Sequence, residues 1–209
     1  MPEKHTPFYQ LLDACGMPGC PLCRLSNKAS TQYIDALLYE NVNDPSVRKK
    51  LNGSLGFCRR HATSLLSMGD AFGVAIIYQD IVRHIDAALM DGRELESTIE
   101  CPACTIQREN SDSYSAVVMS FLHDEELTRA LLRSDGFCLD HLKQCLDRAG
   151  KEGVPAWLVD LQLRKLRQRR KDLSEFVRKQ DVQFKHENTT KAEDQSCESA
   201  IDFLVGTTV

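Results

Sequence analysis

The sequence predicts an all-α fold built from two pseudo-symmetric helical repeat units. Three observations lead there. Apolar residues recur at helical spacing along most of the chain, as in Val74, Ile77, Ile81, Ile85 and Leu89. No stretch alternates with period two and β-branched enrichment, the mark of a half-buried strand. The chain also repeats itself: Cys20 to Cys101 is an offset of 81, and Cys58 to Cys138 an offset of 80. Tyr33 and Tyr114, Leu51 and Leu132, Leu66 and Leu146, Val74 and Val154, and Ile81 and Leu161 follow the same offsets. An apolar scaffold is thus duplicated together with its cysteines.

Along the first repeat, a helix runs from Cys23 to about Asn41. Asn43-Asp44-Pro45-Ser46 stops it and starts a short helix to Leu51, with Ser46 as the expected cap. A helix then begins near Cys58 and breaks at Gly69-Asp70, and a longer one runs from Ala71 until Asp91-Gly92. The second repeat gives helices from Cys104 to about Leu122, across Asp124–Arg133, from Cys138 to Ala149, and from Pro155 to about Lys185. Pro155 suits a first helical turn. Residues 1–91 and 92–185 are therefore expected to form units 1 and 2. They would pack as one domain through the stripes of residues 74–89 and 154–177, because some 85 residues bury little core alone. Residues 186–209 are mostly polar and read as a disordered tail, apart from a short apolar stretch at Ile201–Val205.

Length and composition exclude several classes. The 209 residues suit one medium domain or two small ones, and 42 % hydrophobic residues suffice for a core. No apolar run approaches the roughly 18 residues that span a bilayer. The opening MPEKHTPFYQ lacks a basic segment followed by an apolar one, which argues against a secretory signal and for a reducing, cytoplasmic setting. A net charge of −4 names no dominant partner.

Nine cysteines are the chemical signal. Six fall into two matched arrangements: Cys20-Pro-Leu-Cys23 followed by Gly-Phe-Cys58-Arg-Arg-His61, and Cys101-Pro-Ala-Cys104 followed by Gly-Phe-Cys138-Leu-Asp-His141. A Cys-Pro-x-Cys turn brings two thiolates to one ion, and a Cys-x-x-His step puts both ligands on one helical face. Each repeat would then carry a Cys3His site, Cys20/Cys23/Cys58/His61 in the first and Cys101/Cys104/Cys138/His141 in the second. The gap of about 33 residues between half-sites exceeds that of common zinc fingers, but an intervening helix and turn can close it. Gly56 and Gly136 permit a tight turn before the third ligand, and Phe57 and Phe137 would keep the site dry.

Four readings of these cysteines compete. Buried core cysteines leave the matched histidines unexplained. A thiol–disulfide centre lacks the βαβ context usual for Cys-x-x-Cys. Iron–sulfur clusters accept such ligands. Structural Zn2+ is favoured, because Cys3His is a closed four-donor set with no position left for water or substrate. Two metal ions per chain are expected, with no catalytic residues. Cys145 corresponds to Leu65 and reads as core, Cys15 corresponds to Glu96, and Cys197 lies in the tail. His5, His84, His123 and His186 have no matched partners.

A basic run, Arg164, Lys165, Arg167, Arg169, Arg170 and Lys171, has no counterpart in the first repeat. It is either a solvated helix face or a nucleic-acid surface. No phosphate-binding glycine motif and no serine-nucleophile motif is present.

The paired CPLC…GFCRRH and CPAC…GFCLDH motifs, over roughly residues 8–180, resemble an uncharacterised prokaryotic family with a domain of unknown function. The resemblance implies a bacterial or archaeal host. It brings no activity or catalytic residue. The function expected is that of a metal-binding module, with an unknown protein partner, in a binding or adaptor role. The alternatives are an iron–sulfur redox or oxidant-sensing protein and a nucleic-acid binder.

Overall fold

A computed structural model describes residues 3–207. Eleven α-helices follow in order among them: α1 (Thr6–Cys15), α2 (Pro21–Ala36), α3 (Pro45–Gly53), α4 (Arg59–Ser67), α5 (Ala71–Met90), α6 (Pro102–Ser120), α7 (Glu125–Arg133), α8 (Leu139–Ala149), α9 (Ala156–Lys179), α10 (Lys191–Asp194) and α11 (Ser196–Val205). A π-helical turn at Leu37–Asn41 extends α2, and a 3-10 turn at Gly150–Glu152 follows α8. Among the described residues there is no strand. The all-α class read from periodicity is what the chain adopts.

The repeat is visible in the caps. Asp44 and Asp124 stand 80 residues apart and do the same work. The Asp44 carboxylate accepts from the N–H groups of Ser46 at 2.7 Å and Val47 at 3.0 Å, opening α3. Asp124 accepts from Glu126 at 3.0 Å and Leu127 at 3.1 Å, opening α7. The cap of α3 is therefore Asp44, not Ser46. A carboxylate satisfies two orphan N–H groups and also favours the positive end of the helix, which a hydroxyl at Ser46 does less well.

The chain forms two compact units, but not as consecutive halves. One comprises residues 1–25 and 111–209, the other residues 26–110. The boundaries fall inside α2 and α6, so each unit draws on both repeats. We call them the split unit and the inner unit. The core of the split unit gathers Phe8 and Leu11 of α1, Leu22 and Leu25 of α2, Val118 of α6, Leu127 and Leu131 of α7, and Leu158 and Leu161 of α9. Helix α1 packs on α7, Phe8 meets Phe121 at a ring separation of 4.7 Å, and Lys4 pairs with Asp124 at 2.9 Å. The inner core gathers Ile34, Leu37, Leu38, Leu51, Phe57, Leu65, Ile77 and Ile81.

Two further expectations change. Helix α9 ends at Lys179 rather than near Lys185. There Arg178 bonds Glu187 at 2.6 Å and Lys179 bonds Glu193 at 2.7 Å, which draws the chain into a turn. The tail is helical through Val205. Thr190 and Glu193 form a reciprocal capping box that starts α10, and buried Phe203 fastens α11, which packs on α8 and α9. A mostly polar composition hid two short signals, the Thr-x-x-Glu box and one aromatic anchor. Residues 208–209 of the expected tail lie outside the described residues.

Candidate metal centres

Cys58 and Cys138 are the N-cap residues of α4 and α8, each in extended conformation just before the helix begins. Each sulfur thereby sits at a helix start, where the partial positive charge favours a thiolate. His61 and His141 follow three residues later on the same face. The preceding glycines, Gly56 at φ 91° and Gly136 at φ 77°, occupy the left-handed region that the turn requires. Opposite them, Cys20-Pro21 and Cys101-Pro102 open α2 and α6, with proline in the first turn.

The structure brings the eight expected side chains into two groups of four, but it crosses the pairing. Cys20 and Cys23 meet Cys138 and His141, and Cys58 and His61 meet Cys101 and Cys104, with all donor atoms of a group within 4.8 Å of one another. The first group lies wholly in the split unit and the second wholly in the inner unit. The within-repeat quartets are thus replaced by quartets that take one half-motif from each repeat. The division of the chain supplies the physical reason. The unit boundary falls inside α2, so Cys20 and Cys23 share the split unit with Cys138 and His141, while Cys58 and His61 share the inner unit with Cys101 and Cys104.

In the split-unit cluster, His141 Nδ1 lies 3.5 Å from Cys20 Sγ, 3.3 Å from Cys23 Sγ and 3.1 Å from Cys138 Sγ. Cys23 and Cys138 sulfurs are 3.5 Å apart. All four residues are buried. The other ring nitrogen is also engaged: His141 Nε2 is 2.8 Å from Ser111 Oγ, which bonds Gln144 Oε1 at 2.9 Å. Gln144 Nε2 donates to Asp112 at 2.6 Å, and Arg148 donates to the same oxygen at 3.0 Å. With Nε2–H donating to Ser111, the tautomer that leaves Nδ1 free is fixed, the arrangement that orients histidine ligands. The chain's end roofs this cluster. Cys20 N–H donates to Thr207 Oγ1 at 3.1 Å, and a Cβ on Gly206 would stand 3.1 Å from Cys23 Sγ. Gly206 has φ 85°, so glycine alone suits both the conformation and the approach.

In the inner cluster, His61 Nδ1 lies 3.3 Å from Cys58 Sγ, 3.6 Å from Cys101 Sγ and 3.3 Å from Cys104 Sγ, and Cys58 and Cys104 are 3.6 Å apart. Here Cys58 and Cys104 are only half-buried. The neighbour of His61 Nε2 is Arg60, at 3.4 Å, which also bonds Gln107; Gln107 in turn donates to Asn27 at 2.6 Å.

The protonation pattern without an ion shows how crowded the sulfurs are. Cys138 is held far below the thiol range by hydrogen bonds from Cys20 and Cys23, while the same contacts push Cys23 up. Burial pushes Cys20 up to about 12. His141 is lowered by burial but raised more by Cys138 and Cys23, to about 9. Both shifts favour negative charge on Cys138 and positive charge on His141. In the inner cluster, burial would raise Cys58, but the His61 N–H and the Cys104 and Cys101 thiols lower it below its ordinary value. Cys104 rises to about 12 through burial, and His61 is lowered by burial and by Arg60. A divalent cation releases these protons and lets all three sulfurs ionise.

Cys145 is 0 % exposed in the split core and equivalent to fully buried Leu65. Cys15 is buried, Cys197 is exposed, and neither joins a donor cluster. Of the basic run, Arg164, Arg167, Arg170 and Lys171 are exposed. Lys165 and Arg169 turn inward: Lys165 lies 3.9 Å from Asp135, and Arg169 donates to the Asp135 carbonyl at 3.2 Å. Sequence reasoning missed Ser111, Gln144, Gly206 and Thr207, because none sits within a recognisable motif.

The molecule is an all-helical protein with two Cys3His-type donor clusters in separate helical regions. It belongs to the prokaryotic Family of unknown function (DUF6062), which matches residues 11–99 and again 89–204. It is also similar to an uncharacterised 23.9 kDa protein from the xynA 3' region of Caldicellulosiruptor sp. (strain Rt8B.4), 29 % identical across 90 % of this chain and 95 % of that one. No solved structure matches. Among the described residues no helix is long and apolar enough to cross a membrane.

Proposed function

We propose that the chain is a zinc protein in which two mononuclear Cys3His sites hold the two repeats in their exchanged arrangement, within a binding or adaptor module of the cytoplasm. Donor spacing carries the reading. A tetrahedral Zn2+ with Zn–S near about 2.3 Å and Zn–N near about 2.0–2.1 Å sets S···N edges of about 3.5 Å and S···S edges of about 3.8 Å. The two clusters have S···N separations of 3.1–3.6 Å, and one S···S pair in each, Cys23–Cys138 and Cys58–Cys104, stands at 3.5 and 3.6 Å. The soft thiolate set with one imidazole suits zinc. An iron–sulfur cluster distributes its ligands over several irons and needs a wider spread than the 4.8 Å limit here. Four protein donors close each site, so its contribution is folding free energy rather than a catalytic water. Elemental analysis of protein purified without added metal should return about two zinc ions per chain. A colourless preparation without zinc, or a coloured one with iron and sulfide, overturns the reading.

The exposed stripe Arg164, Arg167, Arg170 and Lys171 supports a second reading, contact with nucleic acid. Among the described residues none of the four is in an ion pair. Binding of duplex or single-stranded oligonucleotides should fall steeply with salt and disappear on neutralising the stripe. No binding at low salt disposes of it.

A further inference from the structure

Beside the split-unit cluster lies a cavity of about 340 Å3, within the size range of small-molecule sites. The loops before Cys20 and Cys138, one face of α9 and the first turns of α11 enclose it. Two observations mark it as more than a packing defect. Ser196, on its wall, is 2 % exposed, yet its hydroxyl has no hydrogen-bond partner. Arg169, also on the wall, leaves Nη1 buried and unpartnered, although Nε donates to Ser199 at 3.1 Å. Among the described residues no carboxylate lies within ion-pair distance of Arg169. Buried donors without partners are costly, and a partly buried guanidinium without an anion more so. Both deficits point at the same space.

The remaining lining narrows the ligand class. Asp135, Asp172, Glu198 and Asp202 also border the cavity, so its carboxylates outnumber its one cation. Burial and Glu198 raise the Asp202 carboxyl above its ordinary value, and the Arg169 charge only partly offsets them. A polyanion such as a nucleotide phosphate would be repelled, and a simple cation would leave Arg169 and Ser196 unsatisfied. A group carrying both charges satisfies each side. Phe137 and Phe203 supply apolar wall, with the Arg169 guanidinium 5.2 Å above the Phe203 ring.

We propose that this cavity binds a small zwitterion of the α-amino acid class, its carboxylate held by Arg169 and Ser196 and its ammonium group facing Asp202 and Glu198. Arg169 corresponds to apolar Leu89 in the first repeat. The site is therefore an addition to the split unit, although Cys20 and Cys138 of the neighbouring cluster form part of its wall.

The test uses the full-length protein and calorimetry with the standard L-amino acids. Carboxylic acids without the amine and amines without the carboxylate serve as controls. At least one amino acid should bind at least 10-fold more tightly than either matched control. Arg169→Gln should abolish that binding, and Asp202→Asn should weaken it 10-fold or more. Ser196→Ala removes only an unpartnered hydroxyl, so its circular dichroism should match the parent while affinity falls several-fold. The proposal is overturned by the absence of binding to any amino acid, by controls that bind equally well, or by a normally folded Ser196→Ala protein with unchanged affinity.

Discussion

The two donor clusters are built from equivalent half-motifs set on equivalent turns, yet they differ in burial and in the side chains that meet the imidazole. The split-unit cluster is buried at all four residues and is roofed by Gly206 and Thr207, while its histidine leans on the Ser111–Gln144–Asp112 chain. The inner cluster keeps two half-buried sulfurs, and its histidine faces a guanidinium that cannot accept a hydrogen bond. Duplication therefore copied the ligands and the turns that place them. It did not copy the second layer that orients the imidazole and excludes water. Equivalent ligand sets should bind one ion each, with unequal strength and access.

The largest test breaks the pairing itself. Under the crossed arrangement, Cys20→Ser combined with Cys138→Ser damages one cluster and should leave about one metal per chain. Cys20→Ser combined with Cys58→Ser damages both and should leave almost none. Within-repeat quartets give the opposite result, so metal content of the two double variants decides between them. Structural zinc contributes folding free energy on the order of 10 kcal/mol, so the second variant should also lose most of its helicity.

Why that crossing was not legible follows from the duplication. The spacing from Cys23 to Cys58 is nearly the spacing from Cys104 to Cys138, so each repeat offers a complete ligand set whichever way the halves pair. Ligand identity, the Gly-Phe turn and the helix order all follow from local chemistry and could be read. The partner of each half-motif depends on where α2 and α6 carry it, which is a property of core packing. The same limit explains the tail. Its polarity pointed to disorder, while Thr190, Glu193 and Phe203 held enough local and tertiary signal to order it.

Access sharpens the comparison next. With a chromogenic chelator in excess, metal release should be biphasic, the fast phase belonging to the inner cluster with its half-buried Cys58 and Cys104. Cys58→Ser should remove the fast phase and Cys138→Ser the slow one. A single phase, or the reverse assignment, would show that solvent access to sulfur does not govern release.

The second layer gives a smaller and more selective effect. Ser111→Ala removes the acceptor for His141 Nε2–H without touching a ligand. Outer-layer changes of this kind lower metal affinity by about 10–100-fold. Competition titration should show that loss at the split-unit cluster alone. Arg60→Gln, at the equivalent face of His61, should change inner-cluster affinity by less, because Arg60 accepts nothing from the ring.

The smallest effect concerns the two caps, which differ as the two clusters do. Asp124 is buried and also pairs with Lys4, whereas Asp44 is half-buried and its carboxylate bonds Ser46 and Val47. Burial works to raise the Asp124 carboxyl, but Lys4 and the Leu127 and Glu126 N–H groups outweigh it and hold it below the ordinary value. The Ser46 hydroxyl, with the Val47 and Ser46 N–H groups, does the same for Asp44. A carboxyl depressed in the folded state stabilises above its unfolded pKa, and that stability is lost as pH falls through the folded pKa. Asp124→Ala should therefore cost about 1 kcal/mol at pH 7, the usual worth of an N-cap, and progressively less below pH 4, while Asp44→Ala costs less throughout. Urea unfolding of the metal-loaded protein at pH 7, where the thiolates hold their ions, measures both losses, and the carboxyl shifts of Asp124 and Asp44 followed by NMR against pH report the depressed pKa values. Equal losses at the two positions would mean that burial and the Lys4 pair add nothing to the cap of α7.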